Sequence, residues 1–271
     1  MTRILTDQNA LERNRRRASK NMATFLHETA ADELKDRLEF VKKAFTKSAI
    51  VSACPAVWRK VFDQGLHVLA SETLNLDECS HDLVIHAISL HWANDPVGQL
   101  IQARRALKPD GLFLAVFFGG RTLHELRNSL AQAETEITGG LAPRIVPMGD
   151  IRDLGALLQR GGYALPVSDV VSLSVSYATP FDLMHDLRAM GEANAMHDRL
   201  RHFSRRDVFL RACEIYADTY SGEDGRVRAT FELVVLTGWA PGPGQPQALR
   251  PGTATSRLAD ALGTNELPLK D

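Results

Sequence analysis

The sequence predicts an α/β protein with a mostly parallel, doubly wound sheet. Short apolar runs of strand length alternate along the chain with longer amphipathic stretches of helical period, and this alternation is typical of parallel sheets with helices on both faces. The last apolar run, 229–239, follows a tight Gly-containing turn. We therefore expect it to pair antiparallel near one edge of the sheet.

Residues 1–45 are predicted to form an N-terminal helical segment. Apolar residues recur at helical spacing from Leu26 to Val41, which indicates an amphipathic helix over 24–45. A basic run, Arg13 to Arg17, precedes it. We interpret this run as the solvated face of a helix because acidic residues flank it on both sides; a nucleic-acid arm or a targeting segment is the alternative.

The main domain is predicted over 46–240, and capping residues delimit its elements. Pro55 fits the first turn of a helix that stops at Gly65, while Asp150 and Ser204 fit helix N-caps. The predicted elements are a strand 49–53, a helix 55–63, a strand 66–70, a strand from 81, a helix 96–107, a strand 112–118, helices 121–137 and 151–160, a strand 167–175, helices 180–190 and 205–220, and a strand 229–239. Residues 241–271 are rich in Pro and Gly at their start and are predicted to be a disordered tail.

Composition limits the classes of function. The net charge of −1 argues against nucleic acid as a partner. No apolar run approaches the roughly 20 residues of a transmembrane helix, and the start lacks the apolar core of a secretory signal, so we expect a cytoplasmic protein. The three cysteines and nine histidines show no metal-ligand spacing, and no metal is predicted.

Several motifs resemble those of one family. The runs His81–Val84, Leu90–Trp92 and Ala106–Gly111 resemble class I S-adenosylmethionine-dependent methyltransferases. Later motifs, in the same order, resemble the methyltransferase-like assembly factor five of respiratory complex I and its alphaproteobacterial relatives: Phe118–Arg127, Ala133–Glu136, Asp153–Gly155, Met190–Asn194 and Glu223–Gly225. The likeness covers about 80–239. The malonyl-carrier-protein methyltransferases of biotin synthesis share the Leu-His-Trp segment and are more distant.

The resemblance implies a Rossmann-like class I methyltransferase fold that binds S-adenosylmethionine. It also implies a protein substrate or a respiratory complex subunit as partner, because the mitochondrial member is associated with hydroxylation of a protein arginine. An arginine hydroxylase needs an oxidant such as a metal or flavin, and the sequence shows no ligands for one. No catalytic residue is predicted.

The chain departs from the family at the cofactor loop. In the family the first strand ends in an acid followed by Gly-x-Gly, which lets the backbone approach the ligand. Here Ser52-Ala-Cys-Pro55 takes that place, and no glycine occurs between Ala49 and Gln64. One βα element before Leu66 is predicted to be deleted or compressed, so the N-terminal half of the sheet is shortened. These losses remove several kcal/mol of cofactor binding, at about 1.5–3 kcal/mol per charged hydrogen bond.

The candidate cofactor contacts implied by the resemblance are Ala53, Ser71, Glu72, His86 and Ala87. Ser71 falls where many relatives have Asp. Glu72 is either its substitute or an exposed loop acid.

The candidate substrate contacts are expected at the carboxyl ends of the strands, where open α/β sheets bind ligands. They are His91, Trp92, Arg121, Glu134 and Glu192. Trp92 either forms a wall of the binding pocket or packs in the hydrophobic core. Arg121 either pairs with an anionic substrate or lies on the surface without a specific role. Only one of Glu134 and Glu136 can line the site, because residues two apart do not share a helix face.

Two functions are compatible with this sequence. The chain is a methyltransferase-like protein with a degenerate S-adenosylmethionine site, related to the family that modifies a protein arginine. Alternatively, it is a noncatalytic assembly or scaffold protein that retains the fold.

Overall fold

The computed structural model describes residues 4–243, 245 and 258–264 of the 271-residue chain. The chain divides into a first unit, Met1–Pro241, and a second unit, Gly242–Asp271. The domain limits predicted at 45 and 240 stay predictions. No described helix is both long enough and apolar enough to span a bilayer.

Strands and helices alternate through the first unit. The strands are β1 (Ser48–Ser52), β2 (Leu66–Leu69), β3 (His81–Ala87), β4 (Leu107–Phe118), β5 (Ala164–Tyr177) and β6 (Val227–Trp239). The helices are α1 (Gln8–Ala18), α2 (Phe25–Phe40), α3 (Pro55–Trp58), α4 (Pro96–Ala106), α5 (His124–Thr138), α6 (Ile151–Arg160), α7 (Pro180–Met190) and α8 (Arg206–Tyr220).

The strands pair in one mostly parallel sheet of order β2-β1-β3-β4-β6-β5 in the described residues. β1 is parallel to β2 and β3, and β3 is parallel to β4, whereas β6 is antiparallel to both β4 and β5. This arrangement confirms the predicted fold class, including the antiparallel last strand next to the edge.

The sheet is buried on both faces, as the apolar composition of its central strands requires. One face packs on α2, α3, α5, α7 and α8 through residues such as Leu34, Ile85 and Leu126. The other packs on α4 and α6 through Leu100, Phe113 and Leu158. A smaller cluster joins Leu11 of α1 to Trp92 and Met196, so α1 covers one end of the sheet.

Three boundaries differ from prediction by five residues, and the other differences are smaller. Helix α2 ends at Phe40 rather than at residue 45, because the backbone becomes extended at Val41. Beyond that point, Lys43 Nζ binds the Asp110 carboxylate at 2.6 Å. Helix α3 has four residues where nine were predicted. Strand β4 begins at Leu107, five residues early, because Leu107 pairs with His81.

The link from β1 to β2 is short. Ser52 and Leu66 are joined by a segment whose one described helix is α3. In the described residues, only two strands, β1 and β2, lie on the N-terminal side of β3 in the sheet. This agrees with the prediction that one βα element is deleted or compressed.

The second unit contains one described helix, α9 (Leu258–Leu262). The disordered tail predicted over 241–271 includes these residues, which are helical. Most of the remaining tail lies outside the described residues.

Candidate functional site

The carboxyl ends of β1 and β3 mark the point where the strand order reverses. The chain leaves β1 for the edge strand β2 and then returns to β3 on the other side of β1. Open α/β sheets bind ligands in the crevice at such a point. Ile88, directly after β3, is buried with φ of 38°, which is strained for a β-branched residue. This strain lies at the edge where a ligand is expected.

Three of the predicted substrate contacts, His91, Trp92 and Glu192, meet at this edge. A 3-10 turn after β3 carries the two aromatic residues, and the loop after α7 carries the acid. Glu192 Oε2 accepts hydrogen bonds from His91 Nε2 at 2.9 Å and from Trp92 Nε1 at 2.6 Å. Trp92 is buried against α1 and also lines a cavity. It is therefore part of the core and part of a pocket wall at the same time.

The Glu192 carboxylate is ionised although it is buried. Burial raises its pKa, but the charges and hydrogen bonds of His91, the charge of Arg15 and the Trp92 indole outweigh that effect and lower the pKa to about 2. A buried carboxylate with a strongly perturbed pKa in a cleft is a candidate for function. It is equally able to hold structural partners in place.

Helix α1 brings Arg15 to the same edge of the sheet as Glu192. Leu11, Arg15 and Ala18 share one face of the helix at i, i+4 and i+7. The Arg15 guanidinium interacts electrostatically with Glu192 and with Cys54, which lies two residues after β1. Burial lowers the pKa of Arg15 and raises that of the Cys54 thiol to about 11. The chain itself thus supplies a positive charge at the reversal point of the sheet.

Several buried polar atoms at this edge have no hydrogen-bond partner in the described structure. They are Nε and Nη2 of Arg15, Oγ of Ser52 and Nδ1 of His91. Buried polar groups are normally satisfied by protein or by ordered water. These atoms are therefore available to hydrogen-bond with water or another small polar group.

The start of α1 is held in place by Asp7. Asp7 caps the helix by accepting from Ala10 N at 3.0 Å, and it also accepts from Arg199 at 2.9 Å and Arg201 at 2.8 Å. The capping N–H and the two guanidinium groups outweigh burial and lower the pKa of Asp7 to about 2. These bonds hold α1 against the loop after α7.

A second anchor comes from the start of α4. Asn94 Oδ1 accepts from Leu5 N at 2.9 Å and Thr6 N at 2.8 Å, and its amide donates to Glu72 Oε1 at 2.9 Å. The side chain of Glu72, a predicted cofactor contact, is therefore engaged with the segment that precedes α1.

His86, another predicted cofactor contact, is fully buried in β3. Its Nε2 donates to Gln99 Oε1 at 2.7 Å, and the Gln99 amide donates to Ser71 O at 3.0 Å. Burial lowers the pKa of His86 to about 4, so the ring is neutral. His86 and the Ser71 backbone are linked through Gln99, and their role as cofactor contacts stays a prediction.

The space left beside Ser71 and Glu72 is small. A cavity of about 10 Å³ lies there, bounded also by Arg15 and Gln99. Such a volume holds about one water, whereas small-molecule sites measure about 300–1,000 Å³. Ala53 and Ala87 contribute only methyl groups and backbone to this edge. The residues present do not fit an adenosyl group here while α1 is in place.

A larger cavity, which we call the lateral pocket, measures about 290 Å³ and lies between α5, α7 and α8. Trp92 and Glu192 form its inner end, where it meets the site. Its other lining residues are Leu123, Leu126, Leu130, Arg144, Ile145, Met184, Leu187, Arg188, Ala193, Asn194 and Phe209. The lining is mostly apolar, so the pocket suits an apolar group that carries few polar atoms.

Glu134 and Arg121 do not join the cluster around Glu192. Glu134 is buried and binds Arg144 through both carboxylate oxygens, at 2.6 and 3.2 Å. It therefore positions a wall of the lateral pocket, while Glu136 lies outside and pairs with Arg211. Arg121 is exposed after β4, where its backbone N–H donates to Glu232.

Sequence reasoning missed Arg15, Asn94, Gln99 and Arg144. The spacing of Arg15 from Leu11 and Ala18 would have placed it on the buried face of α1. Nothing local distinguishes the other three residues, whose partners lie 10 to 89 positions away along the chain.

Comparison with known proteins agrees with this architecture. A family model described as a methyltransferase domain matches residues 38–115. The chain is 41% identical over 201 residues to the human arginine-hydroxylase NDUFAF5, mitochondrial, covering 74% of this chain and 58% of the human protein. It is 40% identical over 196 residues to the Dictyostelium discoideum protein of the same name, covering 72% and 45%.

A carrier-protein methyltransferase and a solved structure extend the comparison. The malonyl-[acyl-carrier protein] O-methyltransferase of Nitrosospira multiformis is 31% identical over 195 residues, covering 69% of this chain and 61% of that protein. The crystal structure of a candidate methyltransferase from Bacillus halodurans superposes with a TM-score of 0.50 at 14% identity, covering 77% and 98%. That likeness shows the fold alone.

The chain spans about half the length of the curated NDUFAF5 relatives it matches, from 45% to 59%. Sheet order, matched family model and sequence identity all agree. The chain is therefore similar to class I S-adenosylmethionine-dependent methyltransferases, and the arginine-hydroxylase NDUFAF5 proteins are its relatives at about 40% identity.

Proposed function

We propose that this chain is a methyltransferase-fold protein with a degenerate cofactor site and that it works by binding a partner protein. The observation that carries the proposal is the position of Arg15. Arg15 lines the small cavity together with Ser71 and Glu72, where an adenosyl ligand would need space, and its guanidinium interacts electrostatically with Glu192 and Cys54. Displacing α1 to admit the cofactor would break the anchoring bonds of Asp7 and Asn94.

Charge supports the same conclusion. The sulfonium group of S-adenosylmethionine is positive, and a second positive charge in the same low-dielectric crevice would repel it. The segment Ser52–Pro55 contains no glycine that would let the backbone approach the cofactor closely. Pro55 also removes one backbone N–H that could donate a hydrogen bond to the cofactor. Binding of the cofactor is therefore weak or lost.

The partner is proposed to be a protein, in keeping with the relatives named arginine-hydroxylase. A subunit of a respiratory complex is the partner that the sequence resemblance favours. The lateral pocket, close to Glu192, is where a partner's side chain would enter. A cytoplasmic location stays a prediction, and the NDUFAF5 relatives are named mitochondrial.

A second candidate function is an enzyme that binds the cofactor after α1 moves. The unpartnered atoms of Arg15, Ser52 and His91 favour it, because a ligand could satisfy them. The His91–Trp92–Glu192 cluster would then face the substrate.

The experiment is a calorimetric titration of the purified chain with S-adenosylmethionine. We expect no saturable heat at micromolar ligand and at most weak binding near millimolar, since a loss of about 4 kcal/mol weakens binding by about a thousandfold. Saturable binding at micromolar ligand would reject the degenerate site and favour the enzyme. S-adenosylhomocysteine, which lacks the sulfonium charge, is the matched control ligand: if it alone binds tightly, repulsion by Arg15 rather than lack of space is the cause.

A further inference from the structure

Positive charge is concentrated at the end of the molecule that carries α1. Residues 7–20 and 188–206 contain ten arginines and lysines but four aspartates and glutamates. The chain as a whole has a net charge of −1. This end is therefore an electropositive patch on a nearly neutral protein, and such patches favour association with negatively charged partners.

Four of these cations form what we call the basic face: Arg13, Arg17, Lys20 and Arg188. All four are exposed, and none forms an ion pair with a described residue. Three other cations nearby already form ion pairs, since Arg199 and Arg201 share Asp7 and Arg205 pairs with Asp207. The basic face thus has charge available for a partner.

The basic face lies next to the lateral pocket. Asn14, between Arg13 and Arg17 in the sequence, donates from its amide to Ala193 O at 3.0 Å. Ala193 and Arg188 themselves line the pocket. A ligand that reaches the pocket from this side therefore passes cations from α1 and α7.

Two exposed apolar side chains are close in sequence to residues at the wall of the lateral pocket. Phe203 is 100% exposed and Leu141 is 71% exposed. Both are close to the pocket wall along the chain: Ser204, next to Phe203, accepts from Arg144 Nη1 at 3.1 Å, and Leu141 lies three residues before Arg144. Exposed large apolar groups around an apolar pocket mark an interaction site when they are grouped.

We propose that this end of the molecule binds an acidic segment of a partner protein, whose carboxylates meet the basic face while one apolar side chain enters the lateral pocket. The inference rests on the proposed partner-binding function and gives the partner its chemistry. A concave pocket of about 290 Å³ favours a peptide, because a side chain can fill it and a flat bilayer surface cannot. A buried apolar anchor surrounded by charged contacts is the usual organisation of peptide recognition.

The test uses the full chain and a fluorescent synthetic peptide that is rich in Glu and Asp and has one central leucine. We expect saturable binding that weakens as salt is raised. Replacing the leucine with serine, or the acids with lysines, should weaken binding by about tenfold or more, equal to about 1.4 kcal/mol. Binding to the lysine peptide at equal strength would overturn the proposal.

Two variants of the chain test the two parts of the surface. Arg17→Glu with Arg188→Glu should weaken binding at least about tenfold, whereas Arg152→Glu on α6, an exposed arginine on the other side of the sheet, should not. Met184→Trp, which fills the pocket, should abolish the difference between the leucine and serine peptides. Circular dichroism melts establish that each variant is folded.

Two further outcomes would reject the proposal. One is no peptide binding at any salt concentration. The other is binding to anionic phosphatidylglycerol vesicles that is lost in Phe203→Ser but unaffected by Met184→Trp, which would assign this end of the molecule to a membrane surface. Neither outcome bears on the degenerate cofactor site, which the titration with S-adenosylmethionine tests separately.

Discussion

At the scale of single residues, the site is organised around Glu192. Its carboxylate accepts from two ring donors and faces the charge of Arg15. In a working ligand site a buried acid of this kind would be available to the ligand. Here both hydrogen bonds to Oε2 come from the chain itself, which supports the proposed binding role.

Replacing Glu192 with Gln tests this organisation. The substitution leaves the Arg15 guanidinium buried without its counter-charge, and we expect a loss of about 3 kcal/mol in the free energy of unfolding. Urea denaturation measures it, with the exposed Glu12→Gln on α1 as the matched control, which should change stability by less than about 0.5 kcal/mol. A loss for Glu192→Gln no larger than that of the control would show that Glu192 and Arg15 do not interact.

At the scale of elements, neutral histidines join helices and strands across the core. Trp58 Nε1 of α3 donates to His27 Nδ1 of α2 at 3.1 Å, and His86 of β3 donates to Gln99 of α4. Burial lowers the pKa of both histidines from the ordinary value of 6.5 to about 4. Protonation of His27 would also remove the acceptor that Trp58 uses.

The folded protein should therefore lose stability in mild acid. The folded pKa of each histidine is below its unfolded value, so the unfolded state binds more protons between about pH 6.5 and 4. This stability is complete above about 6.5 and is lost as the pH falls towards 4. At about pH 5.5 we expect a loss of about 1 kcal/mol for each histidine relative to pH 7.5.

Urea denaturation at the two pH values measures this loss. The double variant His27→Gln, His86→Gln should lower stability at neutral pH but flatten the pH dependence. A wild-type slope that persists unchanged in the double variant would assign it to other groups. Replacement of the exposed His202 is the matched control and should leave the slope as it is.

The elements were predictable where local chemistry marks their ends. Asp95 and Pro96 start α4 with a cap and a favourable first residue, as Thr179 and Pro180 do for α7. The end of α2 was not predictable. Val41 and Phe45 continue its apolar spacing, and the helix stops because Lys43 is bound by Asp110, 67 residues away. A contact at that separation leaves no mark on the local pattern.

At the scale of the whole molecule, the sheet was predictable and the contents of its crevice were not. The sequence contains no glycine between Ala49 and Gln64, so the residues alone predict a weakened cofactor site, which stays a prediction. The four arginines of the run Arg13–Arg17 look alike as residue types, and only the spacing of Arg15 from Leu11 and Ala18 indicates which one turns inward. The docking of α1 on Trp92 and Met196 fixes that orientation.

We propose that the N-terminal helix takes the place of the cofactor and leaves the lateral pocket and basic face for a partner. Anchors from two separated segments support this arrangement, since the stretch before and within α1 bonds to Asn94, and to Ala193 and Arg199 in the loop after α7. Such distributed contacts favour a helix that stays in place.

The most direct test is a crystal structure of the chain grown with millimolar S-adenosylmethionine. The account predicts that α1 lies across the carboxyl ends of β1 and β3, with the Arg15 guanidinium beside Glu192 and Cys54 and without an adenosyl group between them. An adenosyl group seated against Ser71 and Glu72, with α1 displaced from the sheet, would contradict it.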